Sequence, residues 1–285
     1  MIRPRRDLSA GEVGGHYDEL DRFYRVVWGR GVHHGLWTEG GESPEDAVRN
    51  LVEEVAGAAV LEPGSRVCDV GSGYGEPARM LAEGFGARIT GFTLSQRQAE
   101  EARRAPLSRG PPPEFRVGDF LENDLADESF DAVIALESTA HMPDKPGFFV
   151  AARRLLVPGG RLVVAAWTAS GEASSRQERF LLEPICRYGR LPGLGTPGEY
   201  ETWARDAGLE LLGTRDLTRD VRRTWSIVLR RIPVRLLPRP STWRYLLHPR
   251  SRHRDFLLAI PLIWLGQHLG SLRYTLLTAR RDPGV

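Results

Sequence analysis

The sequence has few of the features that would assign it at once to a familiar class. It has only two cysteines, Cys68 and Cys186, too few for a disulfide framework or a cysteine-rich metal site. It has no apolar run of ~18 residues, the length that a membrane-spanning helix needs. Its N-terminal segment, 1–10, is basic and polar, unlike a secretory signal. We therefore expect a cytoplasmic protein without a bound metal.

The overall composition is that of a globular protein. The chain has 285 residues, of which 41% are hydrophobic and 27% are charged, and its net charge is +2. These proportions allow a sizeable core and argue against disorder. The length suits one large domain, or one domain with an elaboration. The even charge balance argues against nucleic acid as a partner bound through bulk charge.

Charge is distributed unevenly along the chain. The basic residues are almost all arginines, and the one lysine is Lys145. From Arg219 to Val285 there are 14 arginines and 3 acidic residues, so this segment carries +11 and the rest of the chain carries −9. A basic segment suits an anionic membrane surface, nucleic acid or an acidic ligand. It equally suits a solvated face that pairs with the acidic body.

Strand and helix patterns alternate through the middle of the chain. Short apolar runs predict strands, and helical segments of roughly 10–15 residues follow them. The predicted strands are 67–70, 88–92, 115–118, 130–136, 161–167, 209–217 and 272–280. The predicted helices are 7–28, 44–59, one after residue 75, 95–104, 145–156, 175–188 and 197–207. This alternation predicts an α/β fold with a doubly wound, mostly parallel sheet of seven strands.

The last two predicted strands are separated by about fifty residues, against ~2–6 residues in an ordinary connection. A segment of this length is typical of a lid or a binding elaboration. The apolar residues from Phe256 to Leu265 suit the wall of a pocket, a buried core helix or a contact between subunits. We expect a helical, substrate-binding insertion over about 219–269.

The most informative segment is the turn after the first predicted strand, Val67-Cys68-Asp69-Val70-Gly71-Ser72-Gly73-Tyr74-Gly75. Its glycines allow a tight turn and a close approach to a ligand, and the following helix presents its N-terminal amides there. Asp69 precedes the first glycine by two residues, where it would repel a pyrophosphate and attract a cationic amino-acid tail. A dinucleotide fingerprint has its acid about 20 residues later, and no phosphate-loop lysine pattern is present.

This segment resembles motif I of the class I S-adenosylmethionine-dependent methyltransferases. The next segment, 91–95 with Gln98, resembles a subgroup that contains tocopherol methyltransferases and cyclopropane fatty-acid synthases. Most of the superfamily has an acid here for the ribose hydroxyls, so the resemblance assigns that role to Thr93 and Gln98. Thr93 and Ser95 also suit a helix cap.

Later motifs complete the cofactor site that the resemblance implies. Asp119, after the third strand, would accept a hydrogen bond from the adenine amino group, and Phe120 would pack on the ring. The segment 130–138 resembles motif IV, which lines the methyl-transfer channel. The residues expected to bind S-adenosylmethionine are Tyr17, His33, Asp69, Gly71, Ser72, Gly73, Thr93, Leu94, Gln98, Gly118, Asp119, Phe120, Leu136 and Glu137.

The N-terminal part resembles the lid of tocopherol methyltransferases and of the sugar O-methyltransferase of rebeccamycin assembly, in the segments 17–20 and 28–37. That lid folds over the cofactor, where aromatic rings suit a sulfonium because a cation is attracted to a π face. For His33 and His34 a loop hydrogen-bonding role is the alternative. We expect a helical lid over 1–60, a cofactor-binding core over 61–170 and a C-terminal part over 171–285.

The segment 137–144 supplies the acid–base candidates. Methyl transfer mainly needs positioning, and a base is needed only where the acceptor loses a proton. We expect His141 and Glu137 to be catalytic, since a histidine titrates in the useful range; a structural His141 packed against the cofactor is the alternative. Ala140 stands where the cyclopropane enzymes have a Glu that helps to hold a bicarbonate base, so cyclopropanation is not expected. The 165–167 segment lacks the acid of the rebeccamycin-type enzymes, which argues against acid-assisted sugar methylation.

The sequence therefore predicts a methyltransferase that acts on N, O or C of a lipophilic small molecule in natural-product biosynthesis. The residues expected to bind the acceptor are Trp28, His34, His141, Trp167 and Trp225. The alternative is a membrane-associated methyltransferase of a phospholipid, sterol or prenyl quinone, with membrane contact through the basic C-terminal part. An RNA or protein methyltransferase and a non-catalytic cofactor-binding protein fit the motifs less well. An N-terminal helix exchanged between subunits would make the protein a homo-oligomer.

Overall fold

The computed structural model of the protein describes residues 1–4, 8–29 and 32–284. Seven strands of this part form one sheet in the order β3-β2-β1-β4-β5-β7-β6. The strands are β1 Arg66–Val70, β2 Arg88–Thr93, β3 Glu114–Val117, β4 Phe130–Leu136, β5 Leu156–Ala169, β6 Leu209–Asp216 and β7 Leu272–Arg281. The strands from β3 to β5 are parallel, and β7 runs antiparallel to β5 and β6. The predicted seven-stranded, mostly parallel sheet is confirmed.

The helices begin where the sequence provides capping residues. Ser43 caps the second helix with Pro44 in its first turn, and Ser9 forms a capping box at the first. Asp7, where the first helix was predicted to begin, lies outside the described residues. The helices are α1 Ala10–Trp28, α2 Pro44–Ala59, α3 Glu76–Phe85, α4 Gln96–Arg104, α5 Lys145–Leu155, α6 Ser175–Gln177, α7 Glu183–Gly189, α8 Pro197–Asp206, α9 Thr218–Val221, α10 Arg223–Arg235, α11 Pro240–Leu247 and α12 Ala259–His268. A π-helical turn, Glu178–Leu182, joins α6 to α7, so the predicted helix 175–188 is one continuous helical segment.

The sheet separates two apolar layers. In β4, Val133 and Ala135 pack with α5 and α8, whereas Ala132 and Ile134 pack with α2 and α3. Successive side chains of a strand point to opposite faces, so a strand covered on both faces is apolar throughout. The near-continuous apolar sequence of β4 is explained by this double burial.

β5 begins earlier than predicted, at Leu156 instead of Arg161. It therefore includes Gly159, whose φ of 80° is a turn conformation. The register between β4 and β5 shifts between Phe130 and Ala132, which is a bulge. The bulge accommodates the turn residues, so pairing continues through a segment whose composition predicts a loop.

Lys145 is buried although it is the first residue of α5. It is 1% exposed, and its ammonium nitrogen donates a hydrogen bond to the Met142 carbonyl oxygen at 2.9 Å. Burial lowers the pKa of this amine to about 8.

The segment between β6 and β7 contains α9 to α12 and covers the carboxyl edge of the sheet. Apolar residues of α1, α7, α10 and α12 form a third cluster there with Ala169 of β5 and Leu272 of β7. Because β7 is antiparallel, its first residues lie at this edge, beside the last residues of β5. In the part of the chain that the structure describes, no helix is both long and apolar enough to cross a membrane.

Candidate active site

A cavity of about 1300 Å³, a volume that includes its mouth, lies at the carboxyl edge of the sheet. Residues of α1, of the loop before α2 and of α10 complete its wall. The predicted site residues in this wall are Tyr17, Trp28, His33, His34, Gly71, Gly73, Thr93, Leu94, Gln98, Gly118, Asp119, Phe120, Leu136, Glu137, His141, Trp167 and Trp225. Of the predicted residues, only Asp69 and Ser72 are outside it.

Asp69 and Ser72 lie behind the cavity wall. The amide and hydroxyl of Ser72 donate to the Phe92 carbonyl oxygen at 2.7 and 3.2 Å, so this residue ties β1 to β2. Asp69 is 2% exposed, and its Oδ2 has no hydrogen-bond partner within the described residues. Burial raises the pKa of this carboxyl to about 7. An unpaired buried acid beside a cavity suits a cationic ligand group.

The turn between β1 and α3 requires its glycines. Gly71, Gly73 and Gly75 have φ values of 85°, 53° and 70°, in the region that glycine adopts most easily. A Cβ atom on Gly71 would lie 2.2 Å from Cβ of Ser138, and one on Gly75 would lie 2.4 Å from the Phe115 ring. The turn therefore presents bare backbone to the cavity at the N-terminal end of α3, where amide groups favour an anion or a polar ligand.

The end of β2 provides polar groups next to this turn. Thr93 donates its hydroxyl hydrogen to Oε1 of Gln98 at 2.9 Å, and Nε2 of Gln98 lies 3.9 Å from the Cβ position of Gly73. The Ser95 hydroxyl accepts a hydrogen bond from the backbone amide of Gln98 at 3.1 Å, so Ser95 caps α4. Asp119 accepts from the Leu121 amide through Oδ1 at 3.0 Å.

This set of groups fits the expected cofactor, S-adenosylmethionine. Asp69 has an unpaired carboxylate oxygen for an ammonium group, and Gln98 has amide hydrogens for hydroxyl groups. Asp119 has a second carboxylate oxygen, which has no hydrogen bond within the described residues, for an amino group. Phe120 adds an apolar ring to the same wall.

Glu137, directly after β4, receives several hydrogen bonds on one carboxylate oxygen. Its Oε1 accepts from the His34 amide at 2.9 Å and from the Tyr274 hydroxyl at 2.8 Å, and lies 3.1 Å from Nδ1 of His34. Its Oε2 has no hydrogen bond within the described residues and is 3.8 Å from Nδ1 of His33. The backbone φ of Glu137 is 61°, a conformation that costs a residue other than glycine ~1–2 kcal/mol. These contacts hold the strained residue with one oxygen left for a ligand.

Trp225 determines the tautomer of His34. The indole nitrogen of Trp225 donates to Nε2 of His34 at 2.6 Å, because an indole N–H can only donate. Nδ1 of His34 therefore carries the ring hydrogen and donates it to Glu137. This chain of hydrogen bonds connects α10 to the end of β4, so His34 has the loop hydrogen-bonding role and lines the cavity as well.

The Glu137 carboxylate remains ionised. Burial opposes its charge, but the His34 ring and the hydrogen bonds from its Nδ1 and amide outweigh burial and lower the pKa of Glu137 to about 2. Its geometry is that of a fixed negative charge beside the cavity.

His141 and Tyr17 form a second polar pair. The Tyr17 hydroxyl lies 2.8 Å from Nε2 of His141, and Nδ1 lies 3.4 Å from the Arg190 carbonyl oxygen, which can only accept. Nδ1 therefore carries the hydrogen, and Tyr17 donates to Nε2. Burial lowers the pKa of His141 to about 4 and raises the pKa of Tyr17 above its usual range. Both groups are neutral near pH 7.

Aromatic rings form much of the remaining wall. The ring centroids of Trp167 and Trp225 are 5.6 Å apart, those of Trp28 and Trp225 are 5.8 Å apart, and those of His34 and Trp167 are 5.6 Å apart. Four of the residues predicted to bind the acceptor thus form one cluster. Such rings suit a flat apolar acceptor and also a cationic sulfonium.

Polar contacts hold α1 over the cavity. They connect α1 both to the sheet domain and to the insertion. The helix that carries Tyr17 is therefore fixed at several points along its length. The contacts are Asp18 with Ser95 at 2.5 Å, Glu19 with Tyr245 at 2.6 Å, Asp21 with Tyr74 at 2.7 Å and Arg25 with Glu101 at 3.1 Å.

Several residues of this site are not predicted by the sequence patterns. Tyr274 is the clearest case, because its hydroxyl is a donor to Glu137 although it lies in the last strand. The first residues of β7 reach the carboxyl edge of the sheet only because β7 is antiparallel to its neighbours. Nothing in the apolar pattern of β7 predicts that direction. Tyr24 and Phe256 also line the cavity. Tyr24 belongs to the apolar stripe of α1, which predicts burial but not a ligand site.

Comparisons with known proteins agree with this geometry. Residues 68–164 match the family described as methyltransferase domain. The chain is 31% identical over 288 residues to a protein of Oryza sativa subsp. japonica named probable tocopherol O-methyltransferase, chloroplastic, across 94% of this chain and 77% of that one. It is 32% identical over 225 residues to the 27-O-demethylrifamycin SV methyltransferase of Amycolatopsis mediterranei, across 76% of this chain and 80% of that one.

Solved structures show the same architecture. The [4+2]-cyclase SpnF has a TM-score of 0.81 and 26% identity, with 100% of this chain and 98% of that chain covered. The cyclopropane synthase MmaA2 from Mycobacterium tuberculosis also has a TM-score of 0.81 but only 18% identity, with 97% of this chain and 100% of that chain covered, which shows the fold alone. The chain belongs to the class I S-adenosylmethionine-dependent methyltransferases. Within that class its relatives act on small molecules, and S-adenosylmethionine is its cofactor.

The variant Asp69→Asn tests the cofactor site. The raised folded-state pKa means that the carboxyl favours folding below its ordinary value of 3.8 and that this contribution is lost as pH rises through about 7. The difference between these two pKa values of Asp69 corresponds to ~4 kcal/mol of folding free energy. We expect Asn to raise the melting temperature above neutral pH and to weaken S-adenosylmethionine binding more than ~10-fold, since the ammonium loses its counter-charge.

Calorimetry measures both the melting temperature and the affinity for S-adenosylmethionine. The matched control is Ser72→Ala, in the same turn, which leaves the carboxyl in place and should change cofactor affinity far less. Affinity that is unchanged in Asp69→Asn would contradict the role given to Asp69.

Proposed function

We propose that this enzyme transfers the methyl group to a hydroxyl oxygen of a lipophilic, ring-containing small molecule of the natural-product type. One observation carries the proposal: the neutral Tyr17–His141 pair, joined at 2.8 Å, lies in a cavity walled by aromatic rings. An acceptor hydroxyl must lose a proton, and this pair can take it. The aromatic wall suits an apolar ring.

The lining of the cavity supports an acceptor beside the cofactor. Gln98 of α4 and Asp119, after β3, are polar groups of its wall, and Asp69 of β1 lies directly behind that wall. Its tryptophans belong to α1, β5 and α10. The cavity thus has a polar part for the cofactor and an aromatic part for the acceptor.

Bound S-adenosylmethionine supplies an electrophilic methyl group. Side chains of this protein accept the proton that the acceptor hydroxyl loses. When the acceptor hydroxyl donates to the Tyr17 oxygen, its proton passes to Tyr17 as the Tyr17 proton passes to Nε2 of His141. The imidazolium formed then lies in a site that also contains the Glu137 anion, and that opposite charge favours the charged form of His141. Glu137 acts in this scheme as a fixed charge, and Trp28 and Trp225 orient the acceptor and exclude water.

The names of two relatives support an oxygen acceptor. Tocopherol O-methyltransferase and 27-O-demethylrifamycin SV methyltransferase are both named for O-methylation. The relatives named for nitrogen or carbon acceptors, such as the sarcosine/dimethylglycine N-methyltransferase of Halorhodospira halochloris, make N- and C-methylation the other outcomes of the test. The lid over 1–60, the cytoplasmic location and a homo-oligomer stay predictions.

A label trace tests the proposal. The protein is incubated with methyl-labelled S-adenosylmethionine and an extract of its source, and the products are partitioned between organic solvent and water. We expect label in the organic phase, on a product that is resistant to mild alkali, as an ether is. Label only in water or on macromolecules would contradict the lipophilic acceptor. Bound cofactor with no labelled product would contradict methyl transfer to any compound in that extract.

The variants His141→Gln and Tyr17→Phe test the proton path. Both should lower kcat by ~10²–10⁴ and change cofactor affinity far less, because each removes one member of the relay and leaves a side chain of similar size in place. At saturating cofactor the wild-type rate should be flat between about pH 6 and 8, because the pKa of His141 is already near 4.

Single-turnover kinetics measures the rate of methyl transfer, and calorimetry measures the affinity for the cofactor. His268→Gln, an exposed histidine on α12, is the matched control and should leave kcat unchanged. A full rate in Tyr17→Phe would exclude Tyr17 from the proton path, and equal losses of rate and cofactor affinity would reduce His141 to a structural role.

A membrane-associated lipid methyltransferase is the second candidate, and one surface favours it. Eleven arginines lie between 219 and 254, and within the described residues none of them is within 4 Å of a carboxylate. Exposed apolar side chains lie among them: Val234 at 73%, Trp243 at 48% and Leu247 at 77% exposure. Guanidinium groups beside exposed apolar side chains suit an anionic bilayer surface.

Vesicle sedimentation tests this candidate. We expect binding to vesicles that contain phosphatidylserine, weakening as salt rises, and little binding to phosphatidylcholine alone. The double variant Trp243→Glu with Leu247→Glu should lose most of this binding, whereas Leu212→Glu, at an exposed leucine of β6, should keep it. No difference between the two kinds of vesicle would exclude the membrane candidate.

A further inference from the structure

A second, smaller cavity adjoins the reaction cavity. It has about 380 Å³ including its mouth and lies between α1, the end of α10, α11 and the start of α12. One stripe of α1 supplies five of its residues at helical spacing. The residues that line it are Leu20, Phe23, Tyr24, Val27, Trp28, Leu236, Tyr245, Leu246, His253, Arg254, Phe256, Leu257 and Ile260. We call this space the side cavity.

Three rings separate the side cavity from the reaction cavity. Tyr24, Trp28 and Phe256 line both spaces. Their centroids are 5.2 Å apart for Tyr24 and Phe256 and 5.6 Å apart for Tyr24 and Trp28. Rotation of these side chains would join the two spaces without any movement of the sheet.

The polar groups of Tyr24, Tyr245 and His253 in the wall of the side cavity are engaged with protein groups. The Tyr24 hydroxyl is 2.9 Å from Nε2 of His16, and the Tyr245 hydroxyl donates to Glu19 at 2.6 Å. Nδ1 of His253 accepts from Arg190 at 3.2 Å. The surface offered to a ligand is therefore carbon, which selects an aliphatic or prenyl chain over a polar group.

We propose that the side cavity binds the apolar chain of the acceptor whose hydroxyl lies beside Tyr17 in the reaction cavity. This inference rests on the proposed function in one respect, that the acceptor is a lipophilic hydroxyl compound. Tyr17 and Tyr24 lie two turns apart on α1, with stacked rings whose centroids are 5.5 Å apart. The same helix thus presents a proton-handling group to the head of the acceptor and an apolar stripe to its chain. Substrate selection by chain length follows from this arrangement.

A homologous series of 4-n-alkylphenols, from methyl to octyl, tests the inference by binding alone. Each phenol is titrated by calorimetry into the full-length protein saturated with S-adenosylhomocysteine. We expect each added methylene to strengthen binding about fourfold until the side cavity is full, because each buried methylene contributes ~0.8 kcal/mol. Affinity that does not change with chain length would overturn the inference.

Two neighbouring leucines provide matched variants. Leu257 lines the side cavity, whereas the next residue, Leu258, is 54% exposed and lines neither space. Leu257→Trp should fill the side cavity and make affinity independent of chain length, while Leu258→Trp should keep the wild-type dependence. Binding of methylphenol and of S-adenosylhomocysteine to both variants shows that each is folded. Equal chain-length dependence in the two variants would also overturn the inference.

The two proposals fail in different ways. Chain-length-dependent binding without methyl transfer to any phenol would leave the side cavity assigned and contradict hydroxyl methylation of these phenols. Methyl transfer to methylphenol, with affinity and rate the same for octylphenol, would support hydroxyl methylation and exclude the side cavity as a chain-binding site.

Discussion

The site depends on a buried carboxylate that must remain ionised. Burying a charge costs several kcal/mol unless hydrogen bonds and opposite charges replace water. For Glu137 the groups that do so come from the loop before α2, which supplies the amide and ring of His34, and from β7, which supplies Tyr274. Trp225 of α10 holds His34 in the tautomer that donates. Three segments distant in sequence must therefore meet at the end of β4 before this anion is satisfied, so the loop before α2, the insertion and the last strand form one polar unit with the core.

The structure separates two kinds of chemistry that the sequence presents together in 137–144. Glu137 is held by His34 and Tyr274, which help to lower its pKa to about 2, and it supplies a negative charge. His141 is neutral and bonded to Tyr17 of α1, so the group suited to proton transfer depends on the position of a helix outside the sheet. The Glu137 charge thus depends on the loop before α2 and on β7, whereas the Tyr17–His141 pair depends on the contacts that hold α1 over the cavity.

The sequence predicted the sheet, and most of the residues expected to bind the cofactor lie around one cavity, because both depend on local patterns. Strand periodicity and the glycine turn after β1 place Asp69, Thr93 and Asp119 at one edge, whatever the distant parts of the chain do. It was insufficient where pairing is non-local. The antiparallel direction of β7 brings Tyr274 to that edge, and no residue pattern within β7 reveals it. Likewise Ser72, which was predicted to bind the cofactor, also ties β1 to β2 through the Phe92 carbonyl oxygen, a contact between strands that the local pattern does not show.

The burial of the one lysine has a consequence for the rest of the surface. Lys145 is 1% exposed and bonded to Met142, so its amine is withdrawn from solvent. Every other basic side chain that is charged at neutral pH is an arginine, whose guanidinium stays protonated at any physiological pH. The folded protein thus offers no accessible side-chain amine to acetylating, methylating or ubiquitin-conjugating enzymes. Its positive face keeps a constant charge that neither a shift of cellular pH nor lysine modification can erase.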